Sequence, residues 1–326
     1  MRMFRLLLYR MLGGLLLLLA VACSAAPTAT PAANQILAPA SSAQGSDSGK
    51  DGSQVAVRPP VQNGPEYGVI VITTDLALGP NRVVFGIVDR NGMPVRSQQA
   101  QVRALLLPPG DAPGVERATA VAEFKQWPAG PQGVFSTSLD FDMPGFWQLV
   151  VTTTGPEGEP VIAEGALQVK EQSETPALGA PAPPSVTLTG DDVVDLAKIT
   201  SSTQPDPGLY SLSVHQALTA GKPLVVVFAT PAFCVSATCG PQVEVLSSVK
   251  DKFGDKANFI HVEVFKDPHL IQGSRPPVDS TVPAVAEWNL PTEPWTFVIN
   301  KEGNIHAKFQ QFTTGAEIEA ALKELF

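Results

Sequence analysis

Cys234 and Cys239, five positions apart, are the residues of this sequence best suited to chemistry, and a third cysteine, Cys23, ends an apolar N-terminal run. A thiol pair can exchange electrons with other thiols, close a structural staple, or give two soft ligands to a metal. In a continuous helix, residues five apart have Cα atoms more than about 7 Å apart, too far for a disulfide. Residues 235–238 must therefore form a loop or turn if the pair closes. Gly240 and Pro241 then suit a helix start, where a proline forfeits no hydrogen bond. Cys239 would lie just before that helix, where free backbone N–H groups and the helix dipole favour a thiolate. Cys239 is accordingly expected to be the attacking sulfur and Cys234 its partner. As a mere staple, a bond closing six residues would restrict the unfolded chain by roughly 2 kcal/mol, among the smaller gains a disulfide brings.

Cys23 points to a different chemistry. Arg2, Arg5 and Arg10 form a basic start, and the apolar run Met11–Ala22 is too short to span a bilayer as a helix. The run ends Leu19-Ala-Val-Ala-Cys23, which resembles the bacterial lipobox with Ala20 where leucine is commoner. That resemblance implies cleavage before Cys23 and acylation of its sulfur, so residues 1–22 read as a lipoprotein signal peptide. The protein is then expected on the extracytoplasmic face of the cell membrane, held there by its lipid anchor. The whole chain has a net charge of −9, and removal of residues 1–22 leaves 19 basic against 31 acidic residues. Such a balance excludes nucleic acid as a partner, because phosphate neutralisation needs clustered Lys and Arg.

The elements that must position the cysteines follow. Residues 23–65, rich in Ala, Pro and Ser without apolar periodicity, read as a disordered tether. Over 66–170, Val69–Thr74, Arg82–Val88, Gln101–Leu107, Val134–Phe141, Phe146–Thr152 and Val161–Val169 read as strands between turn signals such as Asn91-Gly92. Phe146 and Trp147 are read as core residues. "GPNRVVFGIVDRNGMPV" and "MPGFWQLVV" look like pieces of the Ig-like modules of bacterial envelope proteins, which implies an all-β Ig-like sandwich. This segment contains neither cysteine nor histidine. A Pro/Ala-rich linker, 171–190, precedes the last segment, 191–326.

There the pattern alternates. Leu212–Ala220 is a short amphipathic helix, Pro223–Thr230 an apolar run expected of a central strand, and Pro241–Phe253 a helix. Asn258–Phe265 is a strand, Thr296–Asn300 and Ile305–Phe312 a hairpin, and Thr314-x-x-Glu317 a capping box opening a final helix. "KPLVVVFAT" before a cysteine loop and helix, with "EWNLPTEPWTFVINKEGNI" later, resembles a thioredoxin-like domain over residues 211–326. The resemblance implies an α/β thioredoxin fold, with Pro294 matching the family's cis proline and lying across from the cysteines, where it would present a strand edge to substrate.

The cysteine string Cys234-Val-Ser-Ala-Thr-Cys239-Gly-Pro-Gln242 is C-x4-C, where thioredoxins carry C-x2-C. Counted from the strand, Cys234 stands at the family's first cysteine; counted from Gly-Pro, Cys239 does and Gln242 replaces the second. Val227 stands where many thioredoxins have a buried acid, and Phe233 where tryptophan is common. Glu263 on the next strand is a candidate for proton handling, though a solvent-facing residue is the plainer reading. The resemblance implies thiol–disulfide exchange with protein thiols and disulfides of the envelope, through Cys239, Cys234 and Pro294 and without a cofactor. Copper delivery is the alternative, as in family members pairing two cysteines with a histidine. Ala284–Asn300 holds no histidine; His261, His269 and His306 read as strand or surface residues, and His215 lies on the helix before the central strand. A non-catalytic adaptor with a structural disulfide is the remaining alternative.

Overall fold

A computed structural model describes residues 66–110, 112–127, 131–273, 276–277 and 279–326. The expected signal peptide, Cys23 and the tether lie outside these residues. The first seven strands are β1 (Tyr67–Val71), β2 (Gly79–Asp89), β3 (Gln99–Leu106), β4 (Val115–Gln126), β5 (Gly133–Phe141), β6 (Gly145–Thr154) and β7 (Pro160–Val169). They close into a barrel in the order β1-β2-β5-β4-β3-β6-β7. The period-two alternation turns Ala100, Val102 and Ala104 of β3, and Trp147, Leu149 and Val151 of β6, into one core. Phe85 stacks on Phe135 at 5.5 Å, and Phe141 meets Trp147 edge-on at 4.9 Å. Trp147 Nε1 donates to the Met143 carbonyl, so its one polar atom is satisfied inside the core. Phe146 is 62% exposed, contrary to its expected place in the core, because its neighbour Trp147 takes the inward position of the alternation.

Closure rests on one glycine. β1 pairs with β2 on one edge and runs parallel to β7 on the other. A Cβ on Gly165 would lie 2.6 Å from the Val69 carbonyl oxygen and 2.8 Å from Val69 Cβ. Only a residue without a side chain lets β1 approach this closely.

The rest of the chain builds a four-stranded sheet in the order β11-β10-β8-β9. Its strands are β8 (Leu224–Ala229), β9 (Asn258–Glu263), β10 (Trp295–Ile299) and β11 (Ile305–Gln310). β8 and β9 are parallel, and the other pairs antiparallel. The helices are α1 (Val214–Leu218), α2 (Cys239–Phe253), α3 (Pro283–Glu287) and α4 (Gly315–Lys323). Every residue of β8 is buried, since apolar clusters cover both faces. Leu246 and Val249 of α2 with Ile318 and Leu322 of α4 pack on one face, and Val214, Ala217, Ala284 and Trp288 on the other. Thr314 and Glu317 form the expected capping box of α4.

The expected combination of an Ig-like sandwich and an α/β thioredoxin fold is thereby corrected. Because β1 is bonded on both edges, the first seven strands close on themselves rather than forming two facing open sheets. The second sheet is small, α1 and α3 have five residues each, and strand outweighs helix along the described chain, which does not fit an α/β thioredoxin fold. β4, the longest strand, lies outside the runs picked from sequence; its side chains are largely exposed and half of its apolar residues are alanine.

Barrel and sheet are joined by polar groups. Arg82 on β2 donates from Nε to Glu317 at 2.8 Å and from its two terminal nitrogens to the Gln310 and Phe312 carbonyls at 3.0 and 2.9 Å. Gln310 Oε1 accepts from Thr74 N–H at 2.8 Å, and its Nε2 donates to Thr74 Oγ1. Asp75, whose carboxylate is fully buried, accepts from Ser173 Oγ, Glu174 N–H, Thr175 N–H and Thr175 Oγ1, and pairs with Lys308 Nζ at 3.3 Å. The linker is pinned as well. Gly179 N–H donates to the Ile305 carbonyl and Ile305 N–H to the Ala180 carbonyl, covering the β11 edge.

Two outcomes follow from this packing. Gly165→Val should cost about 2 kcal/mol through overpacking at the barrel seam, lowering the thermal midpoint by about 4–8 °C. Gly86→Ala, whose added Cβ meets nothing within 4 Å, should move it little, and equal shifts in both would refute the seam argument. Burial opposes ionisation of Asp75, but its hydrogen bonds from Ser173, Glu174 and Thr175 and the Lys308 charge outweigh this and hold its carboxyl at about 2, below the ordinary 3.8. Its contribution is therefore present above pH 3.8 and lost as pH falls through about 2, worth at most ~2 kcal/mol. Denaturant titrations at pH 7 and pH 2 should show a smaller difference in unfolding free energy for Asp75→Asn than for the parent.

Candidate redox site

The site lies at the carboxyl ends of the parallel pair β8–β9, where Ala229 sits opposite Glu263. β8 is an unbroken apolar run whose centre, Val225 to Phe228, is β-branched or aromatic, and Thr230 ends it, its carbonyl accepting from Phe233 N–H. The chain then turns through residues 231–238 into α2. Cys234 and Cys239 form a disulfide across this loop, with Cα atoms 5.9 Å apart. The spacing is reached because the loop folds back on itself. Ala237 N–H donates to the Cys234 carbonyl at 3.3 Å, and Ala237 takes a left-handed φ of 55°. That conformation costs a non-glycine residue on the order of 1–2 kcal/mol, which the cross-link and turn must hold in place. Ser236 Oγ lies 3.3 Å from Cys234 Sγ and 2.7 Å from Thr238 Oγ1.

The two sulfurs stand in unlike surroundings. Cys239 is the first residue of α2 and is fully buried in the cluster that includes Val227, Ala229, Val243 and Leu246. Cys234 is half-buried at the margin of that cluster, and its neighbour Val235 is 97% exposed. Thr238, the residue before the helix, makes no side-chain cap. The first-turn N–H groups thus keep their positive end towards the Cys239 end of the helix.

Pro294 follows a cis peptide bond and is buried. Because Trp295 pairs with Phe228, Pro294 falls beside the end of β8, where the cysteine loop departs. Its carbonyl is already taken by Gln311 N–H at 2.8 Å, so this part of the expected substrate-facing edge is engaged within the chain.

Glu263 is not the solvent-facing residue the sequence suggested but only 3% exposed. Its Oε2 accepts from Ser201 N–H at 2.8 Å and Ser201 Oγ at 2.6 Å, and Oε1 accepts from Val264 N–H at 3.0 Å. Ser201 Oγ in turn accepts from Ala232 N–H at 3.1 Å, which ties the cysteine loop to the carboxylate. Phe233 meets Phe265 edge-on at 6.1 Å, a second tie from the same loop. Burial, and then the nearby Glu263 charge, push the carboxyl of Glu293 above its ordinary range. Val227, at the position where an acid was looked for, is fully buried and apolar. The acids of the site come instead from the end of β9 and from the residue before Pro294. Ser201, in a Thr-Ser-Ser loop, gave no sequence signal at all.

The histidines do not gather around the cysteines. His261 is buried, with Nε2 3.1 Å from the Ala229 carbonyl and Nδ1 2.7 Å from Tyr210 Oη. Since a carbonyl only accepts, the proton sits on Nε2 and Tyr210 donates to Nδ1. Burial lowers the ring's basicity and keeps it neutral. His306 faces Glu324 at 3.0 Å, and His215 is exposed on α1. Among the described residues, no group of three or more His, Cys, Asp or Glu side chains is placed to hold a metal ion. No helix among them is long and apolar enough to cross a membrane.

No family model matches the chain, and neither does any curated protein. Among solved structures, murine CRIg is similar at 14% identity and a TM-score of 0.21, over 32% of this chain and 98% of that one. CopC from Methylosinus trichosporium OB3b is similar at 15% identity and a TM-score of 0.20, over 31% of this chain and 93% of that one. Both likenesses are too slight to bear on the site.

Ser201→Ala should free the Ala232 amide and cost about 1 kcal/mol in the loop. Hydrogen exchange at Ala232 should then speed up roughly fivefold to tenfold while β8 amides hold their rates. Unchanged exchange at Ala232 would mean that the serine does not anchor the loop.

Proposed function

We propose that this protein is a lipid-anchored thiol–disulfide exchange protein of the cell envelope, acting on protein thiols and disulfides through Cys234 and Cys239. The observation that carries this reading is the asymmetry of the pair: one sulfur half-buried in a turn beside the highly exposed Val235, the other fully buried at the start of a fifteen-residue helix. A staple gains nothing from such a difference, whereas exchange needs an entry sulfur and a leaving sulfur.

In the forward step a substrate thiolate attacks Cys234 Sγ. A substrate–Cys234 bond forms, the Cys234–Cys239 bond breaks, and the electron pair leaves on Cys239 as a thiolate at the positive end of α2. A second substrate thiolate then displaces Cys234, giving a substrate disulfide and a reduced pair. A partner disulfide restores the pair by the reverse sequence. This reading gives Cys234 the attacking role that the helix-start argument gave Cys239, because burial outranks basicity when a macromolecular substrate must reach the sulfur. Anchoring at Cys23 would confine the exchange to substrates at the membrane surface.

The test is the potential of the pair in glutathione buffers, with single-cysteine traps. Exchange predicts a potential above about −300 mV, and at least tenfold more mixed disulfide captured by Cys239→Ser than by Cys234→Ser. A potential below that value with no captured partner identifies a structural staple. Equal capture by both variants removes the assignment of Cys234 as the entry sulfur.

A further inference from the structure

Gln242 is fully buried, three residues beyond Cys239 on the face of α2 that meets the sheet. Its Oε1 accepts from Thr313 N–H at 2.7 Å. A backbone amide can only donate, so the orientation of the side-chain amide is fixed and Nε2 is its other end. That Nε2 has no hydrogen-bond partner among the described residues. A buried donor left unpaired costs roughly 1–3 kcal/mol, and a packed helix–sheet interface does not keep one without compensation elsewhere. On the sheet face that carries Val227 and Val298, Thr296 also has a buried hydroxyl without a partner among the described residues.

Cys239 shares this face and is equally buried. Residues three apart on a helix have Cβ atoms about 5–6 Å apart, within reach of a long side-chain amide. In the closed pair the Cys239 sulfur is neutral and a weak acceptor. As a thiolate it is an anion in an apolar cluster and needs donors.

The geometry points to Gln242 as a catalytic residue of the exchange: its Nε2–H donates to Cys239 Sγ once that sulfur has left as a thiolate. This rests on the exchange reading given above. The orphaned donor of the closed form is the partner the open form requires. When the incoming thiolate bonds to Cys234 Sγ and the S–S bond breaks, the electron pair settles on Cys239 beside a donor whose orientation Thr313 has already set. A bond of this kind is made only after the disulfide opens, so it favours the reduced pair and makes the oxidised pair a readier electron acceptor.

The experiment compares the full chain with its Gln242→Glu and Gln242→Met variants at equilibrium with glutathione, following the Cys234–Cys239 bond on its own peptide after alkylation. Gln242→Glu keeps an acceptor for Thr313 N–H and removes the donor; Gln242→Met removes both. Each should make the disulfide about tenfold harder to reduce, equivalent to about 30 mV. A purely structural role would weaken both redox forms alike and leave that equilibrium unmoved while lowering the melting temperature. If one variant loses its cooperative melt, the other decides. Variants within twofold of an exchanging parent overturn the role of Gln242 alone. A parent whose disulfide never equilibrates with glutathione overturns the exchange reading and this one with it.

Discussion

The buried carboxylate of Asp75 ties the barrel, the linker and the second sheet to one another. Removing such a charge from water is expensive unless hydrogen bonds and an opposite charge replace the solvent. Here the replacements come from three separate parts of the chain: Asp75 itself from the segment between β1 and β2, Ser173 to Thr175 from the linker, and Lys308 from β11. Each of these partners favours the ionised carboxylate, so barrel, linker and second sheet meet at one buried charge. Thr74 and Arg82 extend the grip to Gln310 and Phe312. Beyond β11 the same strand line reaches the site, since Gln311 N–H holds the Pro294 carbonyl and Thr313 N–H holds Gln242. A barrel without cysteine or histidine is thus connected, through the end of β11, to Pro294 and Gln242.

The local elements were legible where the sequence carries strong periodicity or a sharp chemical signal. The apolar run of β8, the helix after Gly240, the β10–β11 hairpin and the Thr314–Glu317 box stand where the pattern placed them. The need for a turn between the cysteines also followed from helix geometry alone. The architecture was not legible, for physical reasons. Closure depends on the missing side chain of Gly165, and a glycine inside a strand looks the same in a barrel and in a sandwich. β4 has two solvated faces along much of its length, so the alternation that marks a half-buried strand is faint. Glu263 and Ser201 were missed as a pair because their contact spans 62 positions and neither side chain looks unusual in its own segment.

The electrostatics of the site set two fields against each other. Uncapped N–H groups at the start of α2 stabilise negative charge on Cys239, an effect that falls off within the first turn and is worth about 0.3–1 kcal/mol when exposed and up to ~2 when partly buried. Burial works the other way, and the raised carboxyl of Glu293 shows that its own pocket already resists one more anion next to Glu263. Helix dipole and burial therefore oppose each other at Cys239, and short-range donors, which act at one atom, add to the dipole's side. Glu263 has spent its acceptor capacity on Ser201, Val264 and the loop they anchor, so it shapes the site by position more than by proton transfer. Glu293, the residue before Pro294, differs from Glu263 in that burial and the Glu263 charge raise its carboxyl above the ordinary range. The polar groups near this disulfide thus do different work: Ser201 and Glu263 hold the loop, and Gln242, buried three residues after Cys239, is held through its Oε1 by Thr313.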